Sequence, residues 1–339
     1  MTSVKASDRE TRTDGGVTED DLFNRTGTLS KRTRKERWAD AFNLKVVAPL
    51  RILAGDARGV IGISLLTFVV LLGTVGPLVV KQPTTLDAEL WAPPFQSLDY
   101  PLGTAALGQQ VHRQIVHTTP AVLLMILSGA VFSMFVGTAV GTVAGYKSGR
   151  LDYLLMMFSD TMMTIPALPL VVVLAAFYRP SDPLIVGVIL GINNWPGLAR
   201  TVRSEVLSMR EEDVIEAARV MGLSDTRIVR KYIIRNLMPY ITVNFAFSSR
   251  RIIFEGIGLY FIGVLGGASK TWGVIMQEAY DTSDLTNIGQ LHWLVFPMLM
   301  IVILVLGLIL TAQAMDQLWN VRLRARHAQD GDASHGEHD

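Results

Sequence analysis

Residues 120–146 read PAVLLMILSGAVFSMFVGTAVGTVAGY, and no charged residue interrupts them. A helix needs about 20 predominantly apolar residues to cross the hydrocarbon core of a bilayer. This stretch is long enough, so it predicts a membrane-spanning helix. The composition of the whole chain agrees, because 50% of its 339 residues are hydrophobic and only 18% are charged. Soluble domains carry about 25% charged residues.

Five further stretches are candidate spans. The weakest candidates are residues 183–199, because this stretch is short, and residues 236–265, because that stretch includes charged residues. Together the six stretches predict an all-α fold, a polytopic membrane helix bundle with six transmembrane helices. Their bounds are residues 59–80, 120–146, 153–178, 183–199, 236–265 and 291–315.

The distribution of lysine and arginine predicts the orientation of the spans. With the N-terminus inside, the cytoplasmic segments 1–58, 145–151, 200–235 and 313–339 hold 12, 2, 8 and 3 of these residues, 25 in all. The outside segments hold 4. Because cytoplasmic loops are enriched in lysine and arginine, we expect a multi-pass protein of the cell membrane with both termini in the cytoplasm.

Three segments are expected along the chain. Residues 1–58 form a cytoplasmic tail without a cleavable signal peptide. Its basic and apolar residues 31–58 predict an interfacial helix or, equally, a plain stop-transfer flank. Residues 59–319 form the transmembrane domain. The polar residues 320–339 predict a disordered cytoplasmic tail.

The polar loop 200–235 is predicted to form two helices with a tight corner. Residues 202–221 are good helix formers without glycine or proline. Gly222 then ends the first helix, as a residue that readily adopts positive φ, and Ser224 or Asp225 caps the second. The second helix has a basic face, which consists of Arg227, Arg230, Lys231 and Arg235.

The corner of this loop could serve a partner protein. Ala217 and Ala218 are small enough to permit close approach, and Glu216 can pair with a donor across an interface. The alternative is a solvated connector that binds nothing. Physical reasoning from these residues leaves both interpretations open.

The corner also resembles a known family. Glu216-Ala217-Ala218, three residues, Gly222 and then Ser224-Asp225 are similar to the EAA loop of ABC importer permeases, most closely the dipeptide and oligopeptide permease C type. Residues 137–152, 160–166, 195–203 and 272–276 resemble the same family. The chain departs from it at Arg235, where a proline is usual, and at residues 103–110, which lack the usual acidic run.

The resemblance implies a non-catalytic permease subunit whose loop docks into a cleft on a separate ATPase. It implies no catalytic residue, metal site or cofactor in this chain, since ATP and Mg would bind to the partners. The expected partners are a homologous second permease, two ATPase subunits, an extracytoplasmic solute-binding protein and membrane lipid, but no nucleic acid. The implied coupling residues are Glu216, Ala217, Ala218, Gly222, Ser224, Asp225, Arg227, Arg230 and Lys231.

The substrate implied by the resemblance is a di- or oligopeptide. Oligosaccharides and metal chelates are the alternatives, because relatives of the same family carry them. The resemblance leaves the substrate-contacting residues unspecified.

Four charged residues fall inside predicted spans, namely Asp160, Arg250, Arg251 and Glu255. Arg251 and Glu255 are spaced i, i+4 and can pair on one helix face, and Asp160 is a candidate partner for Arg250. These charges either form structural ion pairs or line the translocation path. In an ion-coupled secondary transporter, the alternative from another class, they would be the coupling charges.

The remaining motifs are weak. Residues 263–271 resemble a phosphate loop but lack a glycine before Lys270. His112 and His117 have no further ligands nearby in the sequence, and a membrane flank explains the basic residues 31–37 better than nucleic acid does. The chain has no cysteine, which excludes disulfides and cysteine nucleophiles, and no nucleophile–base set supports a membrane enzyme.

Overall fold

The computed structural model describes residues 56–265, 270–284 and 286–335, with side chains as far as Asp316. The predicted all-α fold is confirmed for these residues, which contain one isolated bridge, between Thr104 and Gln110. A π-helical turn is formed by Val229–Ile233. The helices are α1 Ala57–Thr74, α2 Gly76–Val79, α3 Val111–Lys147, α4 Gly149–Thr164, α5 Ala167–Tyr178, α6 Pro183–Gly191, α7 Trp195–Arg210, α8 Asp213–Val220, α9 Asp225–Ile228, α10 Ile234–Phe261, α11 Trp272–Thr282 and α12 His292–His335.

Three of the described helices are long and apolar enough to cross a membrane: α1, α3 and the part of α12 up to Asp316. Helices α4 and α5 would add a fourth crossing together, although they are bent by 86° at the break between them. The count of six spans and the cytoplasmic placement of the termini therefore stay predictions.

The third predicted span, residues 153–178, is bent because of a proline. Ile165 adopts an extended backbone and Pro166 follows it directly. A proline ring disfavours helical backbone in the residue before it. The chain therefore leaves α4 and restarts as α5.

The fourth predicted span, residues 183–199, is wrong as one continuous helix. Helix α6 ends at Gly191, and α7 begins at Trp195 with Pro196 in its first turn. Proline is favoured there, because a backbone N–H in the first turn of a helix has no intrahelical acceptor and its absence breaks no bond. Residues 183–199 thus belong to two helices, which are separated by residues 192–194.

The chain ends are described only in part. Helix α12 continues to His335, through most of the segment that the sequence predicts to be disordered. Its last part is rich in arginine, leucine and alanine, which are strong helix formers, so the helix can continue beyond the apolar residues. The predicted interfacial helix lies almost wholly outside the described residues.

Helix α3 packs closely because one of its faces consists of glycine. A Cβ on Gly129 would collide with the backbone of Gly187 on α6, and one on Gly141 would collide with the carbonyl oxygen of Ala199 on α7. Gly137 and Gly145 approach α7 in the same way. Small residues allow such close helix contacts, and close packing is a main source of helix association in a bilayer. Helix α7 is therefore held directly against α3 from Trp195 to Val206.

Candidate functional site

Two ion pairs join α4 to α7 where the chain enters the loop 200–235. Arg203 forms two bonds with Asp152, from Nε at 2.5 Å and from Nη2 at 2.7 Å. Arg200, one helical turn earlier, pairs with Asp160. A bidentate arginine–carboxylate pair fixes orientation as well as distance. Helices α4 and α7 are thus linked at two positions in addition to their packing.

The predicted helix over residues 202–221 is wrong as a single element. Helix α7 ends at Arg210, Glu212 is extended, and α8 begins at Asp213. Acidic side chains are favourable at a helix N-terminus and unfavourable at a C-terminus. The run Glu211-Glu212-Asp213 therefore favours the start of a new helix over the continuation of the old one.

Gly222 closes α8 with a Schellman motif. Its φ is +78°, its N–H donates to the carbonyl of Arg219 at 2.9 Å, and the N–H of Leu223 donates to the carbonyl of Ala218 at 3.1 Å. These two bonds satisfy carbonyls that a helix end leaves unpaired. The helix end predicted at Gly222 is present.

The loop has a hydrophobic core of its own. Ile215 and Ala218 of α8 are buried at 3% and 1% exposure, together with Ile228 and Ile233 from the following turns. The core continues through Val206 of α7. Ala218 was expected on the partner surface beside Ala217, and this is wrong, because it packs inside the loop.

The opposite side of α8 is a small apolar surface, which we call the α8 outer face. It consists of Val214, Ala217, Val220 and Met221, all exposed. Val220 and Met221 are 83% and 70% exposed. The acidic Glu216 is exposed next to Ala217. Apolar side chains held in the open on a packed corner are typical of a protein interaction site.

The second loop helix, α9, is short and continues into the wider π-helical turn. Ser224 occupies the N-cap position of α9 without a side-chain cap bond, and Asp225 bonds elsewhere, so neither caps α9 as predicted. The π turn carries Arg230 and Lys231 and leads directly into α10. The continuous path agrees with the absence of proline at Arg235. Arg227, Arg230 and Lys231 are exposed.

Asp225 connects the corner to the end of α3. Its carboxylate accepts bonds from the Tyr146 hydroxyl and the Lys147 ammonium, each at 2.9 Å. The guanidinium of Arg219 lies 5.4 Å from the Tyr146 ring centre, and Arg210 donates to Ser148 at 2.6 Å. The sequence shows the charges but not these pairings, which join residues more than 60 positions apart.

Asp225 should make this connection pH-dependent. Lys147, and then Tyr146, hold the pKa of the Asp225 carboxyl below its usual value of 3.8. A lowered pKa in the folded state means that the bonds stabilise the corner above the usual value and are lost as the pH falls through the lowered one. We expect amide exchange at residues 222–228, corrected for intrinsic rates, to rise modestly over that range.

Asp225→Asn should remove this pH dependence, whereas Asp213→Asn, at an exposed acid on α8, should retain it. The effect is modest because the pair is exposed to solvent. Equal pH dependence in Asp225→Asn and the wild type would contradict the assignment.

The charges of the fifth predicted span line a cleft. Arg251 pairs with Glu255 at 2.9 Å, as the i, i+4 spacing predicts. The suggested contact between Asp160 and Arg250 is wrong, since Asp160 pairs with Arg200. The guanidinium of Arg250 instead lies 5.7 Å from the ring centre of Phe247. The cleft, about 610 Å³, lies between α10 and the start of α7.

The described side chains form no cluster of three or more histidine, aspartate or glutamate residues that could hold a metal ion. His117 contacts the carbonyl oxygens of Val80 and Lys81 at 2.8 and 3.1 Å, a structural role. His112 lines a small apolar cavity.

Comparison with protein families decides the class. The family described as binding-protein-dependent transport system inner membrane component matches residues 137–325. The chain belongs to this family. The matched region includes the glycine contacts of α3 with α7, the whole loop and the cleft. This inner membrane component is thus the non-catalytic membrane subunit of a transport system.

Individual relatives of this inner membrane component are named for peptide transport. It is 29% identical over 255 residues to the dipeptide transport system permease protein DppC of Bacillus subtilis, which covers 73% of this chain and 76% of the relative. It is 28% identical over 230 residues to the oligopeptide transport system permease protein OppC of Haemophilus influenzae, covering 66% and 72%. The glutathione transport system permease protein GsiD of Pectobacterium atrosepticum is 28% identical over 227 residues, covering 66% and 73%.

A solved structure is similar at lower identity. A chain of the inward-facing MetNI methionine ABC transporter has a TM-score of 0.49 and 20% identity, covering 60% of this inner membrane component and 95% of that chain.

Proposed function

We propose that this chain is the permease subunit of an ATP-driven importer for di- or oligopeptides and that the α8 outer face docks onto a separate ATPase. The docking proposal rests on one observation: α8 has a buried face and, separate from it, an exposed apolar face. The peptide substrate is supported by the relatives, which are named for dipeptides, oligopeptides and glutathione.

The expected assembly contains a homologous second permease, two ATPase subunits and an extracytoplasmic solute-binding protein. ATP and Mg would be bound by the ATPase subunits. This chain would contribute the path through the membrane and the loop that senses the ATPases.

The α8 outer face suits a groove on a partner. Ala217 lies between larger apolar residues, so a partner surface can approach the helix backbone there. Glu216 is exposed beside it and can pair with a basic group or an N–H donor. The exposed Arg227, Arg230 and Lys231 would add a basic border.

The loop is built to transmit a displacement of α8. The buried side chains of the loop tie α8 to α7 and to the turn before α10. Asp225 ties the same corner to Tyr146 and Lys147 of α3. The glycine contacts hold α7 against α3. A force on α8 can therefore reach α3, α7 and α10 through packed contacts, and this continuity supports a coupling role.

Ala217→Arg should strongly reduce ATP-driven peptide uptake in proteoliposomes that contain all expected subunits. The arginine would hold the partner away from α8, so the ATPases should fail to copurify and uptake should fall at least about tenfold, the result of losing about 1.4 kcal/mol of docking energy. Glu216→Ala should reduce the coupling of hydrolysis to uptake while membrane insertion stays intact.

The matched control is Ser204→Arg, which places the same side chain on an exposed position of α7 and should leave copurification unchanged. Wild-type uptake should require ATP and the binding protein at a clamped ion gradient. Uptake that survives ATP depletion would reject the importer, and normal copurification of Ala217→Arg would reject docking through α8.

A further inference from the structure

Helix α10 has two different faces around Arg250. Ile252, Ile253 and Gly256 are buried against the bundle, whereas Arg250 and Arg251 are exposed on the other side. Arg250 lies 16 residues beyond the start of α10, which is roughly 24 Å along the helix at about 1.5 Å per residue. The exposed arginines thus lie near the middle of the fifth predicted span, residues 236–265, on a helix that continues directly from the loop.

The cleft on this side carries an excess positive charge. Arg251 is neutralised by Glu255 at 2.9 Å. Arg250 lies over the Phe247 ring and forms no hydrogen bond or ion pair with the side chains that the structure describes. A lone arginine at the centre of a bilayer costs at least about 2.5 kcal/mol. In the fifth predicted span, Arg250 would therefore require an anionic partner or a polar path.

The other groups in the cleft suit a small polar solute. The side-chain amides of Asn194 and Asn244 each donate to a helix carbonyl, at 3.2 and 2.9 Å, which leaves their oxygens as acceptors. Glu255 also lines the cleft, but one of its carboxylate oxygens is bonded to Arg251 and the other is buried without a partner among the described groups, so the two asparagine oxygens are the acceptors open to a solute. Phe247 and Phe254 supply apolar walls. The volume of about 610 Å³ is in the usual range for small-molecule sites.

We infer that this cleft is a substrate site in the translocation path and that it takes a carboxylate-bearing solute, with Arg250 as the ligand of the carboxylate. The acceptors nearby suit the ammonium end of the same solute, so the cleft complements a zwitterion. A peptide with free ends has this chemistry. The inference rests on the proposed function and adds to it a position and a recognition group within this chain.

The test compares trialanine with trialanine amide, which differ in the terminal carboxylate alone. Uptake is measured in proteoliposomes with the wild type, Arg250→Gln and Arg250→Lys, and each variant is expressed relative to the wild type for the same peptide. Because the same binding protein delivers the peptide to every variant, this ratio cancels any preference of the binding protein for one of the two peptides. We expect Arg250→Gln to lower trialanine uptake at least about tenfold, as the loss of a charge-assisted bond does, with the amide nearly unchanged. Arg250→Lys should recover part of the loss.

Arg150→Gln is the matched control, since it removes an exposed arginine from α4, outside the cleft and the α8 outer face. Equal losses for both peptides in Arg250→Gln would overturn the inference, and so would loss of the second permease from the purified complex, because Arg250 would then be an assembly residue. A wild type that takes up no peptide would reject the proposed peptide substrate itself.

Discussion

Replacing Gly141 with leucine is expected to remove the folded protein from the membrane. A Cβ at this position already collides with the Ala199 carbonyl oxygen and lies 2.7 Å from the Cβ of Val202. The neighbours are the backbone and a β-branched side chain of α7, which cannot move aside alone. Overpacking of this kind costs about 3 kcal/mol or more, on the order of a hundredfold in the folded population.

The measurement is the amount of monodisperse protein extracted from membranes, together with its thermal unfolding. Gly258→Leu is the matched control, because Gly258 is a glycine of α10 with nothing within 4 Å of an added Cβ. We expect the control to extract and unfold like the wild type. A normal yield and unfolding temperature for Gly141→Leu would contradict the close contact between α3 and α7.

Gly222→Val should uncouple ATP hydrolysis from uptake without loss of the membrane domain. The Cβ would meet nothing within 4 Å, so crowding is not the cause. The cause is the φ of +78°, which costs a non-glycine residue about 1–2 kcal/mol and is especially unfavourable for a β-branched one. The valine would open the Schellman corner and displace the α8 outer face from its partner.

Gly222→Asn separates backbone strain from any loss of contact, because asparagine tolerates the left-handed conformation better than other residues. We expect this variant to retain most of the ratio of peptide imported to ATP hydrolysed, and Gly222→Val to lose most of it. The same ratio in valine and asparagine variants would show that the corner does not depend on φ at Gly222.

Local features were predictable from the residues themselves. The uncharged residues 120–146 predict a spanning helix because the bilayer requires a long apolar segment, and α3 passes that requirement. Gly222 predicts a helix end because positive φ is a property of one residue. The Arg251–Glu255 pair follows from helix spacing alone.

Features that depend on other parts of the chain were not predictable. Ala217 and Ala218 are identical residues side by side, and only the packing of α8 against Ile228 and Ile233 makes one exposed and the other buried. The partner of Asp160 is Arg200 because the packing of α4 and α7 brings them together. The breaks before Trp195 and Asp213 do have local signals, namely Pro196 and the acidic run 211–213, but apolar length and helix propensity alone did not predict them.

The sequence by itself determined that this protein is an all-α membrane transport component with a polar loop that ends a helix at Gly222. Apolar length, charge distribution and glycine conformation are local properties, and none of them depends on contacts with residues that are distant in the sequence. The tertiary structure decided which face of α8 is exposed, which charges pair and where the Arg250 cleft lies. Those outcomes depend on which helices pack together, and here the glycine face of α3 permits the approach of α6 and α7.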